Sequence, residues 1–314
     1  MKSFREYIEI NQPLPWTIIN EHPNTSLIGN NSLVISFVRF KLIMEAVKKY
    51  FSFGDNVLDV GVYPGIMPQL FNEYYPGKEN YQNYYGLGLG FNDIFSNKMN
   101  EYEIKLIECD MDPRLRLQQG RESSIPLEGE SIDFAIFTDV IEHFYDPFYP
   151  LQEINRVLKF GSMLILTTDN LTRFGSLLAL MRGKSCNVPL IEGNIFFSGD
   201  WRPHFREYSI EELFQLIEWS GFEVEEHQYY EADFGQYRIE DCKLVKKDLR
   251  KLTPKRKLAD EVRKVAIRAF PHFSDNHILV VKKVKSYKDM LAIAPKITTD
   301  MNEWLGQRKS FVSQ

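Results

Sequence analysis

A glycine turn at residues 57–65, Val-Leu-Asp-Val-Gly-Val-Tyr-Pro-Gly, is the pattern in this chain whose chemistry is easiest to interpret. One apolar run ends at Gly61 and another begins after Gly65, which predicts a buried strand, a tight turn and a helix. Because glycine lacks a Cβ, the backbone of such a turn can approach a ligand closely. With the carboxylate of Asp59 at the strand end, the turn indicates a site for a nucleotide-like ligand.

A second group of functional side chains lies in the irregular stretch 170–208, which contains Trp201, Arg202, His204 and Arg206. This stretch follows the fifth predicted strand, and ligands of open α/β sheets bind at the edge where such strands end. We therefore expect it to form a loop region that contacts a ligand.

Alternating strand and helix signals position both groups. Apolar runs predict strands at 56–60, 84–89, 104–109, 132–137 and 162–168. Helical spacing predicts helices at 33–51, 65–75, 148–158 and 209–220. Two late strands, around Phe222 and at 277–284, are joined by a long insertion, which predicts an antiparallel end to the sheet. The alternation is typical of an α/β fold with a parallel sheet and helices on both faces.

Composition and charge are those of a globular protein. The chain has 314 residues, 44% of them hydrophobic, and a net charge of −5, which argues against a generic polyanion binder. Its three cysteines are far apart and lack CxxC spacing, so we expect no disulfide framework and a cytoplasmic location. We also expect neither a signal peptide nor a membrane span, because no apolar run is long enough.

The order of these motifs resembles that of class I S-adenosylmethionine-dependent methyltransferases of the type 11 and type 23 kind. The resemblance covers about residues 55–225 and rests on segments that occur in order at the expected separations: 57–65, 109–112, 125–127 with 132–134, 138–143, 153–161 and 204–209. The Tyr-Pro-Gly turn and the late His-Phe-Arg-Glu-Tyr-Ser further resemble members found in saccharide and polysaccharide biosynthesis.

The resemblance implies a Rossmann-like, doubly wound sheet of seven strands, mostly parallel with an antiparallel end strand. It also implies S-adenosyl-L-methionine as the cofactor. It assigns to the cofactor site the turn residues Asp59, Gly61, Tyr63 and Gly65. It further implies that Asp110 and Met111 hold the adenine, and that Asp139 lies near the methionine part and the methyl group.

Two positions depart from the family pattern. The family usually has an acidic residue that binds the ribose hydroxyls at the end of the second strand, where this chain has Gly88. Asp93 is the candidate replacement. Tyr63 stands at the middle glycine of the turn and narrows the approach to the ligand. Gly88 therefore supports an alternative, a non-catalytic binding or scaffold protein with the same fold.

Methyl transfer to a hydroxyl group needs a general base as well as alignment of the acceptor with the methyl carbon. The catalytic candidates are His143, which follows the fourth strand, His204 and Asp139. Each histidine also has a structural interpretation. His143 can cap a turn, and His204 can order the helix at Ser209, whose spacing to Glu212 fits a capping box. The sequence does not decide between the two histidines.

The predicted acceptor contacts are Trp201, Arg202 and Arg206. Asp146-Pro147-Phe148-Tyr149 looks like a motif of base-amine methyltransferases, but it comes too late after the fourth strand. We interpret it as a helix start, which argues against methylation of nucleic-acid amines. No compact ligand spacing stands out, so no metal ion is predicted.

The predicted domain organisation is an N-terminal arm or lid (1–32), a methyltransferase domain (33–285) and a C-terminal helical tail (286–314). The tail packs on the domain or on a second subunit, which would make a homodimer. A basic insertion (236–276) has eleven lysines and arginines between residues 243 and 268. Three interpretations of this segment remain: a solvated helical face, a contact with anionic membrane or a lipid-linked glycan, and an RNA contact.

Together these observations predict a transferase that O-methylates a hydroxyl group with S-adenosyl-L-methionine. The acceptor is a sugar, a nucleotide-sugar or another small metabolite, which suggests carbohydrate biosynthesis. The predicted location is cytoplasmic or peripheral to a membrane. An RNA methyltransferase and the non-catalytic binding protein are the alternatives.

Overall fold

The computed structural model describes residues 3–11, 25–75, 81–112, 124–186, 202, 204–232, 237–240, 243–246, 253–286 and 289. Its helices are α1 (Phe4–Asn11), α2 (Thr25–Tyr50), α3 (Ile66–Tyr74), α4 (Asp93–Glu101), α5 (Phe148–Val157), α6 (Phe174–Met181), α7 (Ile210–Trp219) and α8 (Pro254–Ala269). Its strands are β1 (Asp55–Val60), β2 (Tyr81–Gly88), β3 (Ile104–Glu108), β4 (Ile132–Thr138), β5 (Leu158–Asp169), β6 (Phe222–Tyr230), β7 (Tyr237–Glu240), β8 (Lys243–Lys246) and β9 (Asn276–Lys283).

Seven of these strands form one sheet in the order β3-β2-β1-β4-β5-β9-β6. The strands from β3 to β5 are parallel, and β9 runs antiparallel to both β5 and β6. This confirms the predicted Rossmann-like α/β fold. The chain leaves β1 toward β2 on one side and reaches β4 on the other, so the strand order switches between β1 and β4. In open α/β sheets such a switch point is where ligands bind.

Alternate residues of the central strands pack on opposite faces of the sheet. Val57 belongs to the apolar cluster that also contains the buried side chains of α2 and α3. Leu58 belongs to the cluster on the other face, which contains those of α5 and α7. Burial on both faces explains why the strands are continuous apolar runs, as is typical of parallel sheets.

Helix α2 begins at Thr25, earlier than predicted, and buries the apolar stripe that the sequence indicated: Phe37, Phe40, Ile43, Met44 and Val47. Part of the predicted N-terminal arm forms α1, whose Phe4 and Tyr7 rings pack on Phe37 at centroid distances of 4.9 and 5.4 Å. The N-terminal segment Phe4–Asn11 therefore adds to the core.

Several predictions for the C-terminal half can be compared with the structure. The capping box at the start of α7 is present, because Ser209 and Glu212 exchange hydrogen bonds. The basic segment contains β8, paired with β7, and α8, none of whose residues is buried. No helix in the described ranges is long and apolar enough to cross a membrane. Most of the predicted tail lies outside the described residues.

The glycine turn gives a direct test of the fold. Gly61 and Gly161 have nearly the same positive φ, 82° and 81°, but a Cβ at Gly61 would lie 2.3 Å from Val140 Cγ2, whereas Gly161 has no neighbour within 4 Å. We expect Gly161→Ala to cost about 1–2 kcal/mol of unfolding free energy. Gly61→Ala should cost roughly 3 kcal/mol or more, because overpacking adds to the backbone strain. Denaturant unfolding measures both costs.

Val140→Ala in the same chain is the control for this prediction. It removes the clashing methyl group, so the Gly61→Ala/Val140→Ala protein should recover the overpacking part of the loss, as a double-mutant cycle would reveal. Equal destabilisation by Gly61→Ala and Gly161→Ala would contradict the close contact.

Candidate active site

A cavity of about 320 Å³ lies at the carboxyl ends of β1, β2 and β4, at the switch point of the sheet. Its walls contain many of the predicted site residues: Asp59, Gly61, Tyr63, Asp110, Met111, Asp139, His143 and Arg202. Its size is in the range of small-molecule sites. Among the other predicted residues, Gly65, Asp93, His204 and Arg206 do not line it, and Trp201 lies outside the described residues.

The glycine turn forms the floor of this cavity. Gly61 has a positive φ and donates its N–H to the carbonyl of Leu87 at 2.8 Å, which joins the turn to the end of β2. Gly65, with φ 86°, is the N-cap of α3. The Tyr63 ring packs 4.8 Å from the ring of Phe95 in α4, and the Tyr63–Pro64 peptide is cis. The turn thus presents backbone to the cavity while α4 supports its tyrosine.

Asp59 is buried at the end of β1, where the hydroxyl of Tyr84 donates a hydrogen bond to its carboxylate at 2.9 Å. Burial raises the pKa of the Asp59 carboxyl to about 7, although the Tyr84 hydroxyl favours the charged form. A cationic group bound in the cavity would stabilise the charged form of Asp59.

At position 88, where the family usually has an acidic residue, an aromatic ring packs next to the glycine. A Cβ on Gly88 would lie 3.0 Å from the ring of Phe91, and this ring stacks on Phe95 at a centroid distance of 5.4 Å. The aromatic ring of Phe91 therefore stands beside the end of β2. Asp93 is exposed in the first turn of α4, outside the cavity wall.

Asp110 and Arg202, predicted for the adenine and the acceptor respectively, bind each other. Arg202 donates to both oxygens of the buried Asp110 carboxylate, with the Nη1–Oδ1 distance at 2.9 Å. The Asp112 N–H also donates to Asp110 Oδ1, at 3.0 Å. The bidentate ion pair fixes Arg202 in the cavity wall, and it leaves the buried Met111 beside it as an apolar surface.

Arg39 of α2 is a cavity residue that the sequence analysis missed. It forms an ion pair with Asp139, which also accepts a hydrogen bond from Thr167 Oγ1 at 2.6 Å. Asp139 has a positive φ of 49°, so the chain turns sharply where β4 ends. An arginine within the apolar stripe of α2 was the available signal, because a charged residue there needs a partner.

The two candidate histidines are neighbours. Their ring centroids are 4.7 Å apart in an edge-to-face arrangement, with His143 in the cavity wall and His204 behind it. His143 Nδ1 lies 2.6 Å from the carbonyl oxygen of Arg202. A hydrogen bond at that distance holds the ring proton on Nδ1 and leaves the lone pair on Nε2.

Three carboxylates that the sequence analysis did not single out surround His204. Its Nδ1 lies 3.3 Å from Asp169 Oδ2 and 3.8 Å from Glu207 Oε1, while Glu142 is buried nearby. Burial, and then the charge of Asp169, raises the pKa of Glu142 to about 7. Arg173 donates to both oxygens of Glu207, at 2.5 and 2.9 Å. Glu142 stands in the Asp-Val-Ile-Glu-His motif, which was the available signal.

The last two sequence-derived candidates lie away from the cavity. Arg206 is exposed and forms a 2.5 Å ion pair with Glu212 on α7. Asp146 accepts a hydrogen bond from the Phe148 N–H at 3.1 Å, at the start of α5. That contact supports the interpretation of Asp146-Pro147 as a helix start.

Comparisons with known proteins agree with the fold. A family model described as a methyltransferase domain matches residues 37–227. A Mycolicibacterium smegmatis protein named "probable S-adenosylmethionine-dependent methyltransferase" is 32% identical over 114 residues. That match covers 36% of this chain and 37% of that relative, little more than a third of its length.

Among solved structures, phosphoethanolamine N-methyltransferase 2 of Haemonchus contortus in complex with S-adenosyl-L-methionine aligns with a TM-score of 0.51. The sequences are 15% identical, and the alignment covers 91% of this chain and 61% of that one. At this identity the likeness shows the fold alone.

The raised pKa of Asp59 predicts a pH dependence of stability. Because the folded pKa is about 7, the neutral form favours folding, and that stabilisation is lost as the pH rises from about 4 through 7. Asp59→Asn stays neutral, so its free energy of unfolding should rise relative to the wild type over this range, by up to about 4 kcal/mol. Thermal unfolding from about pH 5 to pH 8 measures the difference.

Tyr84→Phe is the matched control, since it removes the hydroxyl that favours the charged carboxylate. Its stability should fall more steeply with pH than that of the wild type. Parallel pH profiles for the wild type and Asp59→Asn would contradict the raised pKa.

Proposed function

We propose that this chain, which belongs to the methyltransferase-domain family, transfers a methyl group from S-adenosyl-L-methionine to a hydroxyl group of a saccharide or a similar small metabolite. The observation that carries the proposal is the position of His143. Its imidazole lines the cavity at the switch point and packs beside His204. Asp169, which lies 3.3 Å from His204, lines a second, polar cavity.

S-adenosyl-L-methionine is the cofactor, and it supplies an electrophilic methyl group on a sulfonium centre. The cavity residues fit it in three respects. Gly61 lines the cavity without a side chain, so the turn presents its backbone to a ligand there. The Asp59 carboxylate offers a partner for a cationic group, and Leu87 and Met111 offer apolar walls for an adenine.

The histidine pair supports a hydroxyl as the acceptor, because a hydroxyl must lose its proton as the new bond forms. His143 carries its lone pair on Nε2 when Nδ1 donates to the carbonyl of Arg202. His204 and its carboxylate neighbours stand directly behind this ring. We assign deprotonation of the acceptor to this pair and alignment of the acceptor to the surrounding cavity walls.

The second cavity supports a polyhydroxylated acceptor. It has a volume of about 290 Å³ and shares Arg39 and Asp139 with the first cavity. Further carboxylates, Asp169 and Asp275, line it together with Tyr230. Carboxylates and an arginine can satisfy several hydroxyl groups at once, while an aromatic ring offers an apolar face. This combination of groups is suited to a sugar ring.

Calorimetry and a transfer assay test the proposal. The wild type should bind S-adenosyl-L-methionine and S-adenosylhomocysteine at one site per chain. S-adenosylhomocysteine release should be stimulated by an acceptor from a set of nucleotide-sugars, such as UDP-glucose and GDP-mannose. His143→Ala should lower the transfer rate by about 100-fold or more and leave cofactor binding nearly unchanged.

Gly61→Arg and Gly161→Arg form a matched pair for the cofactor site. Both substitutions place a long side chain at a positive φ, but only Gly61 lines the cavity. Gly61→Arg should abolish cofactor binding, and Gly161→Arg should retain it. Failure of the wild type to bind either cofactor form would favour the non-catalytic binding protein instead.

The basic segment supports a membrane contact for this enzyme. Helix α8 exposes Leu258, Val262 and Val265, whose spacing forms one apolar stripe, between exposed lysines and arginines. It packs against α6, which exposes Leu180 and Met181. We call these five side chains the α6–α8 apolar face. An apolar stripe flanked by cations is typical of helices that bind anionic membranes, and it favours this interpretation over RNA binding.

The position of α8 agrees with a lipid-linked acceptor. Strand β9, which follows α8, begins at Asn276 opposite Asp169, at the carboxyl end of β5. Both residues line the second cavity, so the α6–α8 apolar face and the proposed acceptor cavity share one edge of the sheet. Arg263 anchors α8 there through ion pairs with Glu231 and Asp275.

Vesicle sedimentation tests this contact. The wild type should bind phosphatidylglycerol vesicles better than phosphatidylcholine vesicles, and binding should weaken as salt is added. Leu258→Glu with Val262→Glu should lower binding by about tenfold or more, because it removes two apolar side chains and adds two negative charges. Phe53→Glu, at a residue that is 75% exposed ahead of β1, is the control and should bind normally. Equal binding to both kinds of vesicle would contradict an electrostatic contact.

A further inference from the structure

Glu142, His143 and His204 bring three metal-binding side chains to one point. Each offers one ligand atom, and the three atoms lie within 4.8 Å of one another. Nitrogen and oxygen ligands bind a transition-metal ion at about 2.0–2.2 Å, so ligands on opposite sides of an ion are roughly 4 Å apart. Small side-chain rotations would therefore suffice to close the three groups on one ion.

Hydrogen bonds already orient these side chains. Glu142 Oε2 accepts from Thr168 Oγ1 at 2.8 Å, and His143 Nδ1 lies 2.6 Å from the carbonyl oxygen of Arg202. The backbone N–H of Phe205 donates to the carbonyl of Glu142 at 2.8 Å, which joins the segments that carry the ligands. In metal sites of proteins, a hydrogen bond to the polar atom that does not bind the metal orients the ligating imidazole or carboxylate.

The imidazole of His204 faces three carboxylates: burial lowers its pKa, but Glu207, Glu142 and Asp169 raise it overall. Arg173 neutralises Glu207, but within the described part of the chain no lysine or arginine forms an ion pair with Glu142 or Asp169. Glu142 is buried, with 1% of its surface exposed, and burial of an uncompensated carboxylate is costly. A cation between these groups would offset that cost.

His204 supplies an independent observation. Its Nδ1 is fully buried and forms no hydrogen bond within the described residues, although Asp169 Oδ2 lies 3.3 Å away. Buried polar atoms in native proteins are nearly always hydrogen-bonded, so an orphaned ring nitrogen needs an explanation. A metal site beside His204 would explain it, because ligand binding would reorient the ring and satisfy its nitrogens.

We propose that Glu142, His143 and His204 bind one divalent first-row transition-metal ion, with Asp169 beside it, and that this ion activates the acceptor hydroxyl. The inference rests on the function proposed above, and it assigns activation of the acceptor hydroxyl to an ion that the histidine pair holds, in place of direct proton transfer to a histidine. Two imidazoles and one carboxylate favour Mn²⁺, Fe²⁺, Co²⁺ or Zn²⁺ over Mg²⁺ and Ca²⁺, which prefer oxygen ligands. The ligands come from separate segments of the chain, so no compact spacing marked them in the sequence.

The position of the site connects the two cavities, because His143 lines the first and Asp169 the second. A Lewis acid there lowers the pKa of a bound hydroxyl. The acceptor O–H bond breaks and its proton passes to solvent. An oxygen electron pair then forms the bond to the methyl carbon while the carbon–sulfur bond breaks. Its electrons return to sulfur, and neutral S-adenosylhomocysteine leaves.

Mn²⁺ binding tests the proposal directly, because electron paramagnetic resonance measures free Mn²⁺ without any need for turnover. The metal-free wild type should bind one Mn²⁺ per chain in the micromolar range. His204→Ala and Glu142→Gln should each weaken binding by about 10–100-fold. His272→Ala, at an exposed histidine in the turn after α8, is the matched control and should bind Mn²⁺ like the wild type.

Thermal unfolding and calorimetry with S-adenosyl-L-methionine on the same samples separate folding and function from metal binding. A His204→Ala protein that unfolds at a wild-type temperature, binds the cofactor and binds Mn²⁺ as tightly as the wild type would overturn the metal site. So would a Glu142→Gln protein with unchanged Mn²⁺ affinity, which covers the case in which His204→Ala fails to fold.

Two further results distinguish this proposal from the proposed function. A wild type that binds S-adenosyl-L-methionine and methylates an acceptor in the presence of a chelator overturns the metal site and leaves the function intact. A wild type that binds Mn²⁺ through Glu142 and His204 but binds neither cofactor form supports the metal site and overturns the methyltransferase function.

Discussion

Three carboxylates at the carboxyl edge of the sheet each have an arginine from a different segment of the chain as counter-charge. The pairs are Asp139 with Arg39, Asp110 with Arg202, and Glu207 with Arg173. A carboxylate withdrawn from water is costly to leave unpaired, so each pair restricts where its arginine-bearing segment can lie. The cavity walls follow from this restriction, since α2 and the segment around Arg202 are held against the strand ends.

At the same edge, two buried carboxylates accept side-chain hydrogen bonds from hydroxyl groups and form no ion pair with an arginine or lysine of the described residues: Asp59 with Tyr84, and Glu142 with Thr168. A hydroxyl satisfies a lone pair but brings no positive charge, so both sites remain attractive to a cation. Asp59 faces the cavity proposed for the sulfonium cofactor, and Glu142 belongs to the proposed metal site. The arginine-paired carboxylates therefore hold segments of the chain together, and the two without an arginine are those that we propose for cationic ligands.

Local patterns in the sequence were enough to predict the sheet and the glycine turn. The apolar runs of β1 and β4 and the glycines at 61 and 65 determine the local conformation of the chain, so their effect can be predicted from the sequence. The predicted parallel sheet with an antiparallel end is confirmed. The ion pairs could not be predicted in the same way. Arg39 lies a hundred residues from Asp139, and no signal in the sequence indicated that Arg202, a predicted acceptor contact, would also pair with Asp110. Long-range pairing has no spacing rule, and only the fold reveals which charges meet.

The aromatic ring beside Gly88 has a consequence for the design of chemical probes. Where the family usually has a carboxylate, this chain has Gly88, and ring carbons of Phe91 lie 3.0–3.1 Å from the position that a Cβ would take. Truncation of an aromatic side chain leaves an uncharged hollow, whereas replacement of a carboxylate by alanine also removes a charge. A smaller side chain at position 91 would therefore make room beside Gly88, which lines the proposed cofactor cavity, for a cofactor analogue with an enlarged ribose substituent.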